Sequence, residues 1–387
     1  MIDLKLREER FVVVYRLTGA KEDAAAMASD ICLEDTVELP YDLVTEGLIR
    51  DHIIGRVEDL RPVADGVFEA RVSFAVETTA FEFTQFLNVA FGNVSLKPGI
   101  RVERFELPDS LLQIFRGPRF GVEGWRRRLG VPKRPLLCSA LKPMGLSAAE
   151  CAELAGKLAS GGIDLIKDDH GLTDQPFARF EERAVLCAKA VKKSNEQTGL
   201  NCIYMPNVTA APEEMLRRAR MAREIGTGGL LVAPGLTGYD AMRRLADDDA
   251  VALPIMAHPS FQGSFVTNRS CGFSHGAIFG QLARLGGADA TIFPNYGGRF
   301  SFTREECGRI VEFSRMPMGR ISPIFPTPGG GMSLDRVSEM SRLYGNDVIY
   351  LIGAGLLRYS ADLPNACRMF RRMAESSASA DPANDGG

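Results

Sequence analysis

From Leu136 onward the chain repeats one hydropathic unit. A short uninterrupted apolar run is followed by a polar or glycine-rich loop, then by a longer stretch with apolar residues at helical spacing. The apolar runs are LLCSAL (136–141), IDLI (163–166), NCIYM (201–205), GLLVA (229–233), LPIMA (253–257), ATIF (290–293), ISPIF (321–325) and VIYLI (348–352). Unbroken apolarity predicts strands buried on both faces, and helices between them make the strands parallel. Eight such units over roughly 240 residues predict a closed (β/α)8 barrel. An open, doubly wound sheet is the alternative, which the even spacing disfavours.

Before residue 130 the rhythm is different. FVVVYRL, FEARVSFAVETT and SLKPGIRVERFELP read as strands, and KEDAAAMASDICLE and EFTQFLNVAFG as helices. That mixture predicts an α/β protein with a small α+β domain over 1–130 and a barrel over 131–375. VEGWRRRLGV predicts a basic helix, stopped by VPKRP. The polar end, 376–387, is expected to be disordered.

Composition narrows the function classes. The 387 residues are 45% hydrophobic and 25% charged with a formal net charge of -3, ordinary globular values. Such a balance gives no electrostatic case for nucleic acid as the main partner. No apolar run approaches the roughly 20 residues of a spanning helix, so no membrane partner is expected. The first residues lack the apolar core and cleavage site of a signal peptide. The eight cysteines are scattered without a CxxC pair and read as buried thiols in a reducing, cytoplasmic compartment.

Barrel active sites lie at the C-terminal ends of the strands. The residues predicted there include Lys142, the run Lys167-Asp168-Asp169-His170, Asn207, His258, the loop Gly297-Gly298-Arg299, the run Gly329-Gly330-Gly331, and Gly353-Ala354. Side chains alternate at a strand end, so Lys167 and Asp169 would face one mouth together. Two carboxylates and a histidine so close can hold a divalent ion. In isolation the same run reads as a solvated loop with one ion pair; its strand-end position favours the chemical reading. Glycines after strands seven and eight suit a phosphate, although simple turns also use them. Lys142 is a candidate base, with a surface lysine as the plain alternative. His258 can polarise a substrate oxygen, or be a satisfied core histidine. Arg299 can close over an anion.

These residues, in this order, resemble the large chain of ribulose-1,5-bisphosphate carboxylase/oxygenase (RuBisCO). GGIDLIKDDH…DQPFARFEER resembles the family signature, RPLLCSALKP-MGLS its first barrel strand, and FGNVSLKPGIRVERFELP the segment with its active-site asparagine. IFRGPRFGVEGWRRRLGVPKRP resembles the linker into the barrel. The resemblance implies Lys142 as the enolising lysine and a carbamylated Lys167 that binds Mg2+ with Asp169 and His170. It also implies phosphate binding at Gly330, Gly331, Gly353 and Ala354, and a homodimer in which Asn93 and Glu34 complete the neighbouring subunit's site.

The departures are as informative. His170 stands where the signature has a glutamate, and a lysine is missing near Met144. Loop six carries Gly297-Gly298-Arg299 where carboxylases have a gas-orienting lysine, whose compact ammonium arginine does not reproduce. Pro259, Ile292 and Gly329 replace the arginine, histidine and serine that hold a second phosphate, and Leu39-Pro40 replaces a Thr-Trp pair. The pattern resembles the RuBisCO-like, non-carboxylating branch, which implies enediolate chemistry on a keto-sugar (acid) monophosphate. Within that branch, decarboxylation of the 3-oxo-isoapionate-4-phosphate type is favoured, with Arg299 as the carboxylate's cation. The alternatives are a 5-methylthioribulose-1-phosphate isomerase or a diketo-methylthiopentane-phosphate enolase. An inactive binding homologue is the reading of another class.

Overall fold

The computed structural model describes residue 6 and residues 8–379. They form two compact units. One comprises the chain up to Arg116 with Gln262–Gln281 and Pro317–Ile321; the other comprises Gly117–Phe261, Leu282–Met316 and the chain from Ser322.

The first unit is a five-stranded sheet with two longer helices and several short helical turns. Strand β1 (Arg10–Thr18) lies between β3 (Val67–Ala75) and β4 (Ile100–Glu106), antiparallel to both. Strand β2 (Arg56–Ala64) pairs with β3 at one edge, and the short strand Gly272–Phe273 runs parallel to β4 at the other. Alternation along β1 buries Phe11, Val13, Tyr15 and Leu17. The Phe11 ring packs against Phe74 of β3 and Phe86 of helix α2 (Phe83–Phe91). The other predicted helix is α1 (Lys21–Glu34), which buries Ala24, Ala28, Ile31 and Cys32. Strand β2 was not visible in the pattern. Its sequence, RVEDLRPVA, is charged and almost wholly exposed because it is an edge strand, where charge and proline blunt unwanted pairing.

The second unit is the barrel. Its eight parallel strands are Leu136–Leu141, Leu165–Asp168, Ile203–Met205, Leu230–Val232, Ile255–Ala257, Ala290–Pro294, Phe325–Gly329 and Ile349–Leu351. Strands eight, one, two and three pair in that order, as do four, five, six and seven. A bridge between Asn207 and Leu231 joins strand three to strand four. Strand seven lies against strand eight at Gly329, where an added Cβ would meet Leu351 at 3.0 Å. Side chains fill the interior, among them Cys138, Leu165, Met205, Leu231, Met256, Ile292 and Ile349, joined by Trp125 of helix Gly121–Leu129.

Four expectations need correction. Strand two is Leu165–Asp168, not 163–166, so Lys167 and Asp168 belong to the strand itself. Strand seven is Phe325–Gly329, not 321–325. Pro323 has no N–H for a ladder, and its carbonyl instead accepts from Val122 at the start of helix Gly121–Leu129. Gly329 therefore belongs to a strand, and the loop begins at Gly330. The last helix, Leu363–Ser379, runs into the segment expected to be disordered; 380–387 lie outside the described residues. All eight cysteines are free, and seven are buried, but Cys271 is only half-buried. Among the described residues no helix is long and apolar enough to cross a membrane.

Candidate active site

The strand register fixes the first contact. Leu141 of strand one pairs with Asp168 of strand two, so the next residues, Lys142 and Asp169, emerge side by side. Lys142 Nζ lies 3.0 Å from Asp169 Oδ1. On the same oxygen, His170 Nδ1 approaches to 3.4 Å. The His170 ring stacks on that of His258, with centroids 4.5 Å apart and planes 10° apart. Four residues predicted from the sequence thus meet at one mouth.

Asp168 points the other way, as alternation demands. Its carboxylate accepts from Tyr204 Oη at 2.7 Å, from the Asn207 backbone N–H at 3.0 Å and from the Arg183 guanidinium at 3.1 and 3.2 Å. Asp168 and Arg183 have no exposed side-chain surface. Sequence reading passed over this set. Asn207 was noted at a strand end without a role, and it also donates to the carbonyls of His170 and Leu172, both at 2.9 Å. Asn207 thereby holds the loop that presents His170.

Lys167 is buried, and its Nζ donates to the Asp168 carbonyl at 3.0 Å. Burial, with help from the Lys142 charge, pushes its amine below the usual lysine range. Burial pushes the Asp169 carboxyl up. The His170 contact and the Lys167 and Lys142 charges outweigh it, so the group ends well below the carboxylate range. Burial, then the charges of Lys167 and His170, drives His258 well below the ordinary histidine value. The Ser260 N–H points at His258 Nδ1 from 3.2 Å, with Ser260 Oγ at 2.7 Å. A ring nitrogen that accepts at Nδ1 carries its proton on Nε2.

Among the described residues no group of three or more His, Cys, Asp or Glu side chains is placed to hold a metal ion. Asp169 and His170 offer two donors. A third donor would be Lys167 if it were carbamylated, and a buried amine with a lowered pKa suits that reaction. On that chemistry the donor set fits a divalent cation.

The remaining candidates form separate groups. Loops six and seven touch backbone to backbone: a Cβ on Gly298 would lie 2.2 Å from the Gly330 carbonyl, and one on Gly331 2.5 Å from Gly298 Cα. Gly330 and Gly331 have φ of +68° and +118°. Arg299 is exposed, with its guanidinium 5.0 Å from the Phe300 ring. Gly353 precedes the short helix Ala354–Tyr359. In the first unit, Asn93 donates to Glu34 at 3.3 Å and to Glu38, which the sequence reading missed, at 3.2 Å.

Known proteins resemble this chain in sequence and fold. The profile of the ribulose bisphosphate carboxylase large chain catalytic domain matches residues 121–300. Ribulose bisphosphate carboxylase-like protein 1 of Rhodopseudomonas palustris is 39% identical over 94% of this chain and 96% of its own length. The 5-methylthioribulose-1-phosphate isomerase of Rhodospirillum rubrum is 38% identical over 90% of this chain and 92% of its own. A crystal structure of a Rubisco-like protein from Rhodopseudomonas palustris superposes with a TM-score of 0.87 at 37% identity, covering 96% of this chain and 99% of that one.

Proposed function

Because this chain belongs to the RuBisCO large-chain family, among its RuBisCO-like members, we propose that it isomerises a keto-sugar monophosphate by proton transfer through an enediolate. The supporting observation is the mouth cluster, with Lys142 Nζ 3.0 Å from Asp169 Oδ1 beside the stacked His170–His258 pair. The similarity to the isomerase of Rhodospirillum rubrum supports 5-methylthioribulose 1-phosphate as the substrate to try first. Decarboxylation had rested on Arg299 as the carboxylate's cation. That side chain is exposed and stacks on Phe300, so the second reading has less support than the first.

Each residue then has a chemical task. Lys142 moves the proton to or from carbon, with Asp169 holding its ammonium in place. His258 donates from Nε2 to the substrate oxygen, in the way a neutral imidazole polarises a carbonyl. Lys167 as a carbamate, Asp169 and His170 would hold Mg2+, which when bound supplies electrostatic stabilisation to a developing oxyanion. Gly330, Gly331, Gly353 and Ala354 grip the phosphate through backbone N–H groups. One phosphate site, with Pro259, Ile292 and Gly329 at the other, suits a monophosphate. Loop six carries Arg299, not a gas-orienting lysine, which favours enolisation without carbon dioxide capture.

A homodimer is part of this proposal, with Glu34 and Asn93 serving the neighbouring subunit. The first unit exposes Leu39, Tyr41, Leu43 and Leu48 close together in sequence, an apolar surface of the kind that interfaces cover. The test incubates the protein with Mg2+, bicarbonate and 5-methylthioribulose 1-phosphate and follows the phosphorus NMR spectrum. A new sugar monophosphate is expected. Release of carbon dioxide from a 3-oxo sugar-acid phosphate, with no isomerisation, would replace this reading by the second.

A further inference from the structure

The opposite end of the barrel carries a hollow. A cavity of about 300 Å³ opens beside the starts of strands three and four, at Ile203 and Gly228. Its walls include the apolar side chains of Ala188, Val191 and Ile203, and its charged residues are Arg128 and Lys192.

The basic run of helix Gly121–Leu129 explains the charge. Arg126 forks onto Asp347 at 2.6 and 2.9 Å, and Arg127 pairs with Glu123 at 3.6 Å. Arg128, the third, has no carboxylate partner among the described residues; its half-buried guanidinium lies 5.9 Å from the Phe120 ring. Burial and the charge of Arg223 both push its pKa down. Lys192 is exposed and forms no ion pair among the described residues.

The neutral polar groups around the cavity are already engaged. Asn195 exchanges hydrogen bonds with the Cys202 backbone at 2.8 and 2.9 Å, Asn201 donates to the Arg128 carbonyl at 2.6 Å, and Thr227 donates to Ala222 at 3.0 Å. What is left unpaired is cationic, and it lies beside the apolar side chains of Ala188, Val191 and Ile203. We propose that this cavity binds a small organic phosphate, with its anionic head on Arg128 and Lys192 and its apolar body against Val191 and Ile203. A guanidinium fork suits a phosphate head, and the volume is at the small end of ligand sites. This site is independent of the mouth and of the reaction proposed there.

The chain's single tryptophan makes the proposal testable. Trp125 shares a helix with Arg128 and a core cluster with Ile203. The probe is butyl phosphate, with binding at this cavity read by Trp125 emission. Wild type should show a saturable emission change. Arg128→Gln should weaken that binding at least tenfold, and Lys192→Gln about threefold, with thermal melts like wild type. Gly331→Ala, at the mouth, should leave the Trp125 emission change and its midpoint unchanged, whatever butyl phosphate it loses at the mouth. Lack of saturable binding to wild type, or wild-type affinity in both cavity variants, would overturn the proposal. So would loss in Gly331→Ala alone, which would place the ligand at the mouth. If Arg128→Gln does not fold, the exposed Lys192→Gln carries the same comparison.

Discussion

Lys142 and Asp169 are joined across two neighbouring barrel strands by a 3.0 Å contact between Nζ and Oδ1. The carboxylate is in turn approached by His170. Asp169→Asn keeps the shape but removes the charge that orients the lysine. Turnover should fall at least about a hundredfold, the ordinary scale of positioned proton transfer. Steady-state kinetics on the phosphorylated sugar checks this, and an unchanged kcat would remove Asp169 from the site.

Gly331 has φ of +118° and no room for a side chain, since an added Cβ would sit 2.5 Å from Gly298 Cα. Gly331→Ala should push loop seven away from loop six and spoil the phosphate grip. The expected result is a KM raised at least about tenfold, on the scale of lost charge-assisted hydrogen bonds. Affinity for 5-methylthioribulose 1-phosphate measured by calorimetry reads this directly, and unchanged affinity would move that phosphate elsewhere.

Asp168 and Arg183 form a fully buried ion pair, completed by Tyr204 and Asn207. Asp168→Ala leaves the guanidinium charged and unpaired. Removing one partner of a buried pair costs about 3–5 kcal/mol, so chemical denaturation should show a loss of that order. Near-wild-type stability would mean that Arg183 finds another partner.

Asp35 follows Glu34 and is half-buried, with Oδ1 accepting from the Val94 N–H at 3.3 Å. Burial, with the nearby Glu34 charge, pushes its pKa up to about 7. A carboxyl raised in the folded state contributes stability that is complete below the unfolded value and is lost as pH rises through the folded one. Asp35→Asn should therefore melt higher than wild type at pH 8, with the difference closing below about pH 4. Melting curves from pH 4 to 9 test the sign, and a variant that gains stability only in acid would contradict it.

The barrel was legible because its strands are buried on both faces and so unbroken in hydrophobicity. LLCSAL maps onto Leu136–Leu141 residue for residue. Strand seven was displaced because FPTPG, with two prolines, is a poor strand signal beside ISPIF, while its neighbour in strand six supplies the pairing. Edge strand β2 was hidden for the opposite reason, since it buries too little to leave a periodic trace. At the mouth, Lys142, Asp169, His170 and His258 could be grouped by their strand-end positions alone. The stacking of His170 on His258 and the hold of Asn207 on the His170 loop were not legible, because both depend on loop geometry between distant strands.

The central claim, proton transfer through an enediolate with Lys142 as the moving group, is tested most directly by solvent exchange. The protein is incubated in deuterium oxide with Mg2+, bicarbonate and 5-methylthioribulose 1-phosphate, and the carbon-bound protons are followed by NMR. Wild type should introduce deuterium next to the carbonyl, and Lys142→Ala should not, while still binding the sugar phosphate. Exchange at wild-type rate in Lys142→Ala, or none in wild type with this or any related keto-sugar monophosphate, would contradict the account.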